Sequence, residues 1–133
     1  MKKLAEEWLI HADKDIKTIE KIIDEQYLTN ITAFHSHQCI EKSFKALILL
    51  KTGNVSKIHN LLKLYGTVRN YFPLDINIEQ LQEINETYID SRYPADLGLL
   101  PDGDLSSDKA RQFYEETKAI YKQVVEIINT NHE

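Results

Sequence analysis

The sequence predicts an all-α protein, an up-and-down antiparallel bundle of about five helices. Three observations carry that reading. Apolar residues recur every three or four positions almost from end to end, the spacing of one helix face. No stretch alternates apolar and polar residues as a half-buried strand does. The three prolines and three of the four glycines fall between the periodic segments, where they can turn the chain. Short connections between helices then favour antiparallel neighbours.

The first helix spans roughly 3–25, with Leu4, Trp8, Ala12, Ile16, Ile19 and Ile23 on its apolar face. Gln26 to Asn30 interrupts the pattern, and Thr29 or Asn30 is placed to cap a second helix running to about Lys51. That helix is expected to bury Ile31, Phe34, Ile40, Phe44 and Leu47, and Gly53 supplies its left-handed stop. Ser56 is the expected cap of a third helix bearing Ile58, Leu61, Leu62, Leu64 and Val68, ended by Pro73. A fourth helix carries Ile78, Leu81, Ile84, Tyr88 and Ile89 and must stop before Pro94, because a proline pushes the residue before it away from helical angles. Ala95 to Leu105 reads as a loop. Ser106 then caps a fifth helix with Ala110, Phe113, Thr117, Ile120, Val124 and Ile127 at alternating steps of three and four. Tyr114, Tyr121 and Ile128 widen that stripe, so this helix is expected to touch more than one neighbour. The surplus apolar positions on helices two and five predict a homodimer. Trp8, Phe44, Leu61, Tyr88 and Phe113 are the expected core.

At 133 residues, 42% of them apolar and 28% charged, the chain fits one folded domain over 1–133. The net charge of −5 argues against a generic basic surface for nucleic acid, while leaving room for a local basic pocket. The N-terminus turns acidic at once and the longest apolar run, Ala46 to Leu50, is far short of a membrane span, so a cytoplasmic protein is expected. Cys39 is alone, which removes any intramolecular disulfide or cysteine zinc site, and its apolar neighbours make it a core residue. His35 and His37 point apart on a helix, and no His-x-x-x-His or Glu-x-x-His pair occurs, so neither metal nor cofactor is expected.

The polar residues of interest are Gln38, Glu41, Lys42 and Lys45 on helix two, His59 at the expected start of helix three, and Arg92-Tyr93-Pro94 after helix four. Glu41 and Lys45 form an i,i+4 pair of the favourable order, which alone accounts for them as a salt bridge. A histidine in the first turn of a helix sits at the positive dipole end, which favours neutral imidazole. Arg92 offers a planar fork for phosphate or carboxylate, or caps the last carbonyls of its helix. Tyr93 either packs in the core or stacks on a base.

Three motifs stand in order: Phe34-His35-Ser36-His37-Gln38-x-x-Glu41-Lys42-x-x-Lys45-Ala46, His59-x-Leu61-x-x-Leu64, and Arg92-Tyr93-Pro94. Together they resemble the HEPN domain family, over nearly the whole chain. The resemblance implies a homodimeric helical bundle, often encoded beside a minimal nucleotidyltransferase in what look like toxin–antitoxin or stress-response pairs. Nucleotide binding has been proposed for the family, and many members are metal-independent ribonucleases. The ribonuclease branch carries an Arg followed four to six residues later by His. Here Arg69, Arg92 and Arg111 all lack that histidine, so the resemblance supports binding more than catalysis. The expected site is Glu41, Lys42, Lys45, His59, Arg92 and Tyr93, with Lys42, Lys45 and Arg92 on phosphate oxygens, Glu41 orienting a cation or accepting from a ribose or base, and neutral His59 hydrogen-bonding the ligand. Two alternatives stand beside it. One is a divergent ribonuclease acting on RNA through His59 and Arg92. The other is a structural interaction bundle, which a polar cluster consumed by its own salt bridges would favour.

Overall fold

A computed structural model describes residues 1–92 and 104–131, and all of their side chains except those of 89–92. It contains α1 (Lys2–Ile22), a short 3-10 turn (Gln26–Leu28), α2 (Thr29–Thr52), α3 (Leu61–Val68), α4 (Ile78–Arg92) and α5 (Ser107–Thr130), with no strand among the described residues. The expected loop lies, except for Asp104 and Leu105, outside the described residues.

Helix boundaries follow local chemistry where that chemistry is unambiguous. Gly53 adopts φ 78°, and its N–H bonds the Leu49 carbonyl, closing α2. Ser106 caps α5 by accepting from the Lys109 N–H at 3.1 Å. Helix α3 departs from expectation. Ser56 Oγ accepts only from the Ile58 N–H, making a local turn, and the true cap is Asn60, which accepts from the Lys63 N–H at 3.0 Å. Asn85 of α4 accepts from the Leu61 N–H at 3.0 Å, so a long-range contact satisfies another of the helix's open donors. Ile58 is consequently left exposed ahead of the helix. The 3-10 turn enters α2, whose cap position is Leu28 with no side-chain bond, so neither Thr29 nor Asn30 caps it. Asn30 instead bonds Asp104 and the Leu105 N–H, tying the starts of α2 and α5 together.

Side-chain contacts fix helix directions. Lys2 reaches the Asn131 carbonyl while Asp24 pairs with Arg111, so α1 and α5 are antiparallel. Glu83 with Lys109 and Asn77 with Glu116 make α4 and α5 antiparallel too. Helices α2 and α5 run in the same direction, because α3 and α4 intervene and reverse the chain. The bundle is therefore not antiparallel at every contact.

Helix α2 is central, packing against α1, α3, α4 and α5. Phe44 and Phe113 are completely buried with Leu61, Leu64, Leu81 and Ile84, each such side chain contributing about 1.5–3 kcal/mol. Trp8 packs against this cluster half-buried, and Tyr88 is buried. A second cluster joins Ala12, Ile16, Ile19, Cys39 and Tyr114. Burial pushes the Cys39 thiol above its ordinary range. The wide stripe of α5 is spent internally, since α5 meets α1, α2 and α4. Leu4, Ile31 and Phe34, expected inside, are exposed. Periodicity places them toward the bundle, but they stand at its margin: Phe34 stacks on Tyr88 on one side only, and Leu4 lines the open cleft beside Trp8.

Candidate functional site

Helix α2 turns about 100° per residue, so the adjacent Glu41 and Lys42 face different neighbours. Glu41 is buried near α3 and α4. Its Oε2 accepts from Lys45 Nζ at 2.9 Å and from His59 Nδ1 at 2.8 Å. Lys45 itself is buried, which is tolerable for a lysine only with such a partner. His59 arrives from the loop that precedes the Asn60 cap. It stands outside the first turn of α3, so the dipole argument for a neutral ring does not apply. Its ring is 61% exposed, and Nε2 has no hydrogen-bond partner among the described residues.

One helical turn before Glu41 lies His37, whose place in the site its spacing did not reveal. Its ring is fully buried and stacks on Tyr88 with centroids 3.7 Å apart and planes 14° apart. His37 Nδ1 is 3.5 Å from Glu41 Oε1, too far for a good hydrogen bond. Both imidazole nitrogens and Glu41 Oε1 are buried without a hydrogen bond of good geometry, although the Asn85 side chain and the His59 backbone stand near enough to the ring to favour its charged form. Burial, only partly offset by the Glu41 carboxylate, pushes the His37 imidazole down to about 4. It is therefore neutral at pH 7.

Lys42 belongs to a different network. Its Nζ donates to Asp15 Oδ2 at 2.8 Å, and His35 Nδ1 lies 2.8 Å from Asp15 Oδ1. Asp15 is a buried acid of α1, another residue not singled out from sequence. The signal was present: position 15 falls three after Ala12 and four before Ile19, in phase with the apolar face of α1. Beside Lys42, the cleft between α1 and α2 encloses about 260 Å³ and is lined by Leu4, Glu7, Trp8 and His11.

The structure thus brings Glu41, Lys45 and His59 together and sets Lys42 apart with Asp15. Arg92 ends α4, but its side chain, like all of Tyr93, lies outside the described residues. Among the described residues no group of three or more His, Cys, Asp or Glu side chains could hold a metal ion. None of the described helices is long and apolar enough to cross a membrane.

No curated protein sequence matches the chain. Its fold is similar to that in the crystal structure of TT1696 from Thermus thermophilus, with a TM-score of 0.70 over 92% of this chain and 96% of that one at 21% identity. The HEPN domain model matches residues 5–128, and the chain belongs to the HEPN domain family.

Proposed function

We propose that the chain is a non-catalytic interaction module that works by pairing with other protein chains, including a nucleotidyltransferase of the kind that accompanies HEPN proteins. One observation carries this reading. Two of the three cations expected to meet phosphate, and the histidine expected to bond the ligand, are each held by a carboxylate of the same chain: Lys45 and His59 by Glu41, Lys42 by Asp15, while the side chain of the third cation, Arg92, lies outside the described residues. A phosphate would have to displace those carboxylates and bring its charge beside them. Self-pairing draws support from Ile31 and Phe34, exposed apolar side chains three apart on α2, with Tyr27 exposed on the turn just before that helix.

The test combines calorimetry with ATP and light scattering of the purified chain. The expected result is no ATP binding at tens of micromolar protein and a mass above that of the monomer, lowered by Phe34→Glu. Tight ATP binding abolished by Lys45→Ala would overturn the reading.

A second reading has its own observation. Glu41 Oε1 is a buried acceptor without a donor, and the exposed His59 ring is bonded to the other oxygen of the same carboxylate. A ribose hydroxyl or base amino group could satisfy that oxygen. Under this reading a nucleoside binds as well as its triphosphate, because the phosphates add nothing.

A further inference from the structure

The basic residues of this acidic chain are strongly segregated. Between residues 42 and 74 stand six lysines and arginines and no Asp or Glu, leaving ten basic and twenty-one acidic residues for the rest. Two of the six, Lys42 and Lys45, are spent on Asp15 and Glu41. The other four, Lys51, Lys57, Lys63 and Arg69, are exposed and have no ion pair among the described residues. Helix α3 stands in the middle of this stretch. It buries Leu61, Leu64 and Val68, so at about 100° per residue its outer side carries Lys63, Gly66 and Thr67. The Arg69 N–H still bonds the Tyr65 carbonyl, which places Arg69 on the flank of that face at the helix exit.

Gly66 is the residue that this face does not explain. It is the one glycine of four that falls inside a periodic segment, and it lies within α3. A glycine in a helix interior is destabilising relative to alanine. Nothing in the described residues requires it. Gly53 is the only described glycine with a positive φ, and a Cβ built on Gly66 would meet no atom within 4 Å. Bare helix backbone is thus presented to solvent between Lys63 and Arg69, where another backbone can come close. The cations at its edge are held in place. The Arg69 guanidinium sits 6.0 Å from the centre of the Tyr65 ring, and Lys51 Nζ 5.7 Å from that of Tyr71. On the Arg69 flank opens a cleft of about 680 Å³ whose lining includes Phe72, Pro73 and Leu74, with Asp75 its one acid. The rim is fixed, because the Gln123 side chain bonds both the N–H and the carbonyl of Asp75, at 2.7 and 2.8 Å.

We propose that the outer face of α3 docks an acidic segment of a partner protein. Its backbone crosses Gly66, its carboxylates meet Lys63 and Arg69, and one apolar side chain enters the cleft beside Phe72 and Leu74. Unpaired cations around an uncharged bare patch complement such a segment, and the planar Arg69 fork suits a carboxylate. A single-stranded nucleic acid fits this face poorly. The Tyr65 ring is covered by Phe44 and Arg69 and the Tyr71 ring by Lys51, so no open platform is left for a base. A missing side chain at Gly66 offers a membrane surface nothing to hold. The inference rests on reading the chain as a protein-pairing module, and it gives that reading a face and a partner chemistry. The face is separate from Ile31 and Phe34 on α2 and from the Glu41–His59 site.

Fluorescence anisotropy tests it with a labelled peptide of about 12 residues, Glu-Glu-Leu-Ala repeated, at about 50 mM salt. Lys63→Glu and Arg69→Glu should each weaken binding about tenfold. Lys17→Glu makes the same charge change at an exposed position of α1 and should alter binding less than about twofold. Gly66→Gln leaves the charge untouched and should weaken binding about tenfold by filling the bare patch. Glutamine is the better helix former, so this variant should melt higher than the parent, and its lost binding is then not a lost fold. Absence of binding at about 100 µM protein overturns the proposal. So does full binding by Gly66→Gln, which would reduce the face to unspecific charge, or a lower melting temperature for that variant, which would mean the chain itself needs the glycine. Tighter binding of an oligouridylate of equal charge also overturns it, in favour of nucleic acid. None of these failures alters the expected lack of ATP binding or the expected mass, and tight ATP binding would sink the pairing reading whatever the peptide does.

Discussion

Asp15 and Glu41 are both buried carboxylates, and each carries one lysine and one histidine, yet the two are built differently. Asp15 belongs to α1 and takes both partners from α2. Each of its oxygens has one close contact, Oδ1 with His35 and Oδ2 with Lys42. It fastens two helices and leaves nothing over. Glu41 takes Lys45 from its own helix and His59 from a loop, both on Oε2, and its Oε1 remains without a donor 3.5 Å from His37. The difference teaches where to look for function. A satisfied buried ion pair is a fastening, whereas a half-satisfied one keeps an acceptor in reserve at a measurable cost in stability.

The largest effect that would sharpen this contrast is expected from Glu41→Ala. It strands the buried Lys45 ammonium and should cost about 3–5 kcal/mol in urea denaturation, whereas a loss under about 1 kcal/mol would mean that Lys45 simply turns to water. Next comes acid. The folded His37 imidazole is depressed from 6.5 to about 4, so its contribution is complete above pH 6.5. Falling pH protonates the unfolded chain first, and about 3 kcal/mol should be lost between pH 6.5 and 4. Denaturation curves across that range should show a slope that His37→Phe flattens, and an unchanged slope would assign the acid sensitivity elsewhere. Asp15→Ala should cost less, about 2 kcal/mol, because the Lys42 side chain is already 26% exposed and can regain water. If it costs more than Glu41→Ala, the ranking of the two carboxylates is reversed. The smallest effect is Asn60→Ala, about 1 kcal/mol for a lost cap, accompanied by a chemical-shift change at His59 as the loop loosens from Glu41.

Much of this architecture was legible from residue spacing. The stripes of α1 and α5, the Gly53 stop and the Ser106 cap depend on interactions within one or two turns, which periodicity and cap chemistry report directly. The start of α3 was not legible. Ser56 and Asn60 offer the same kind of signal, and a contact from Asn85 on α4 accompanies the later start. Glu41, Lys45 and His59 do meet as a group, the first two through their i,i+4 spacing. Lys42 was misplaced beside them because its partner, Asp15, lies on another helix. His37 stood four residues before Glu41 in plain view, but its burial depends on Tyr88 and so on the tertiary fold.

Cys39 gives the molecule an internal clock. It is the chain's sole thiol, fully enclosed among Ala12, Ile16, Ile19 and Tyr114, and burial suppresses its thiolate. A disulfide reagent in solution therefore reacts no faster than α1 parts from α2. At reagent concentrations where labelling no longer speeds up with more reagent, the half-time reads the lifetime of the closed bundle, without denaturant.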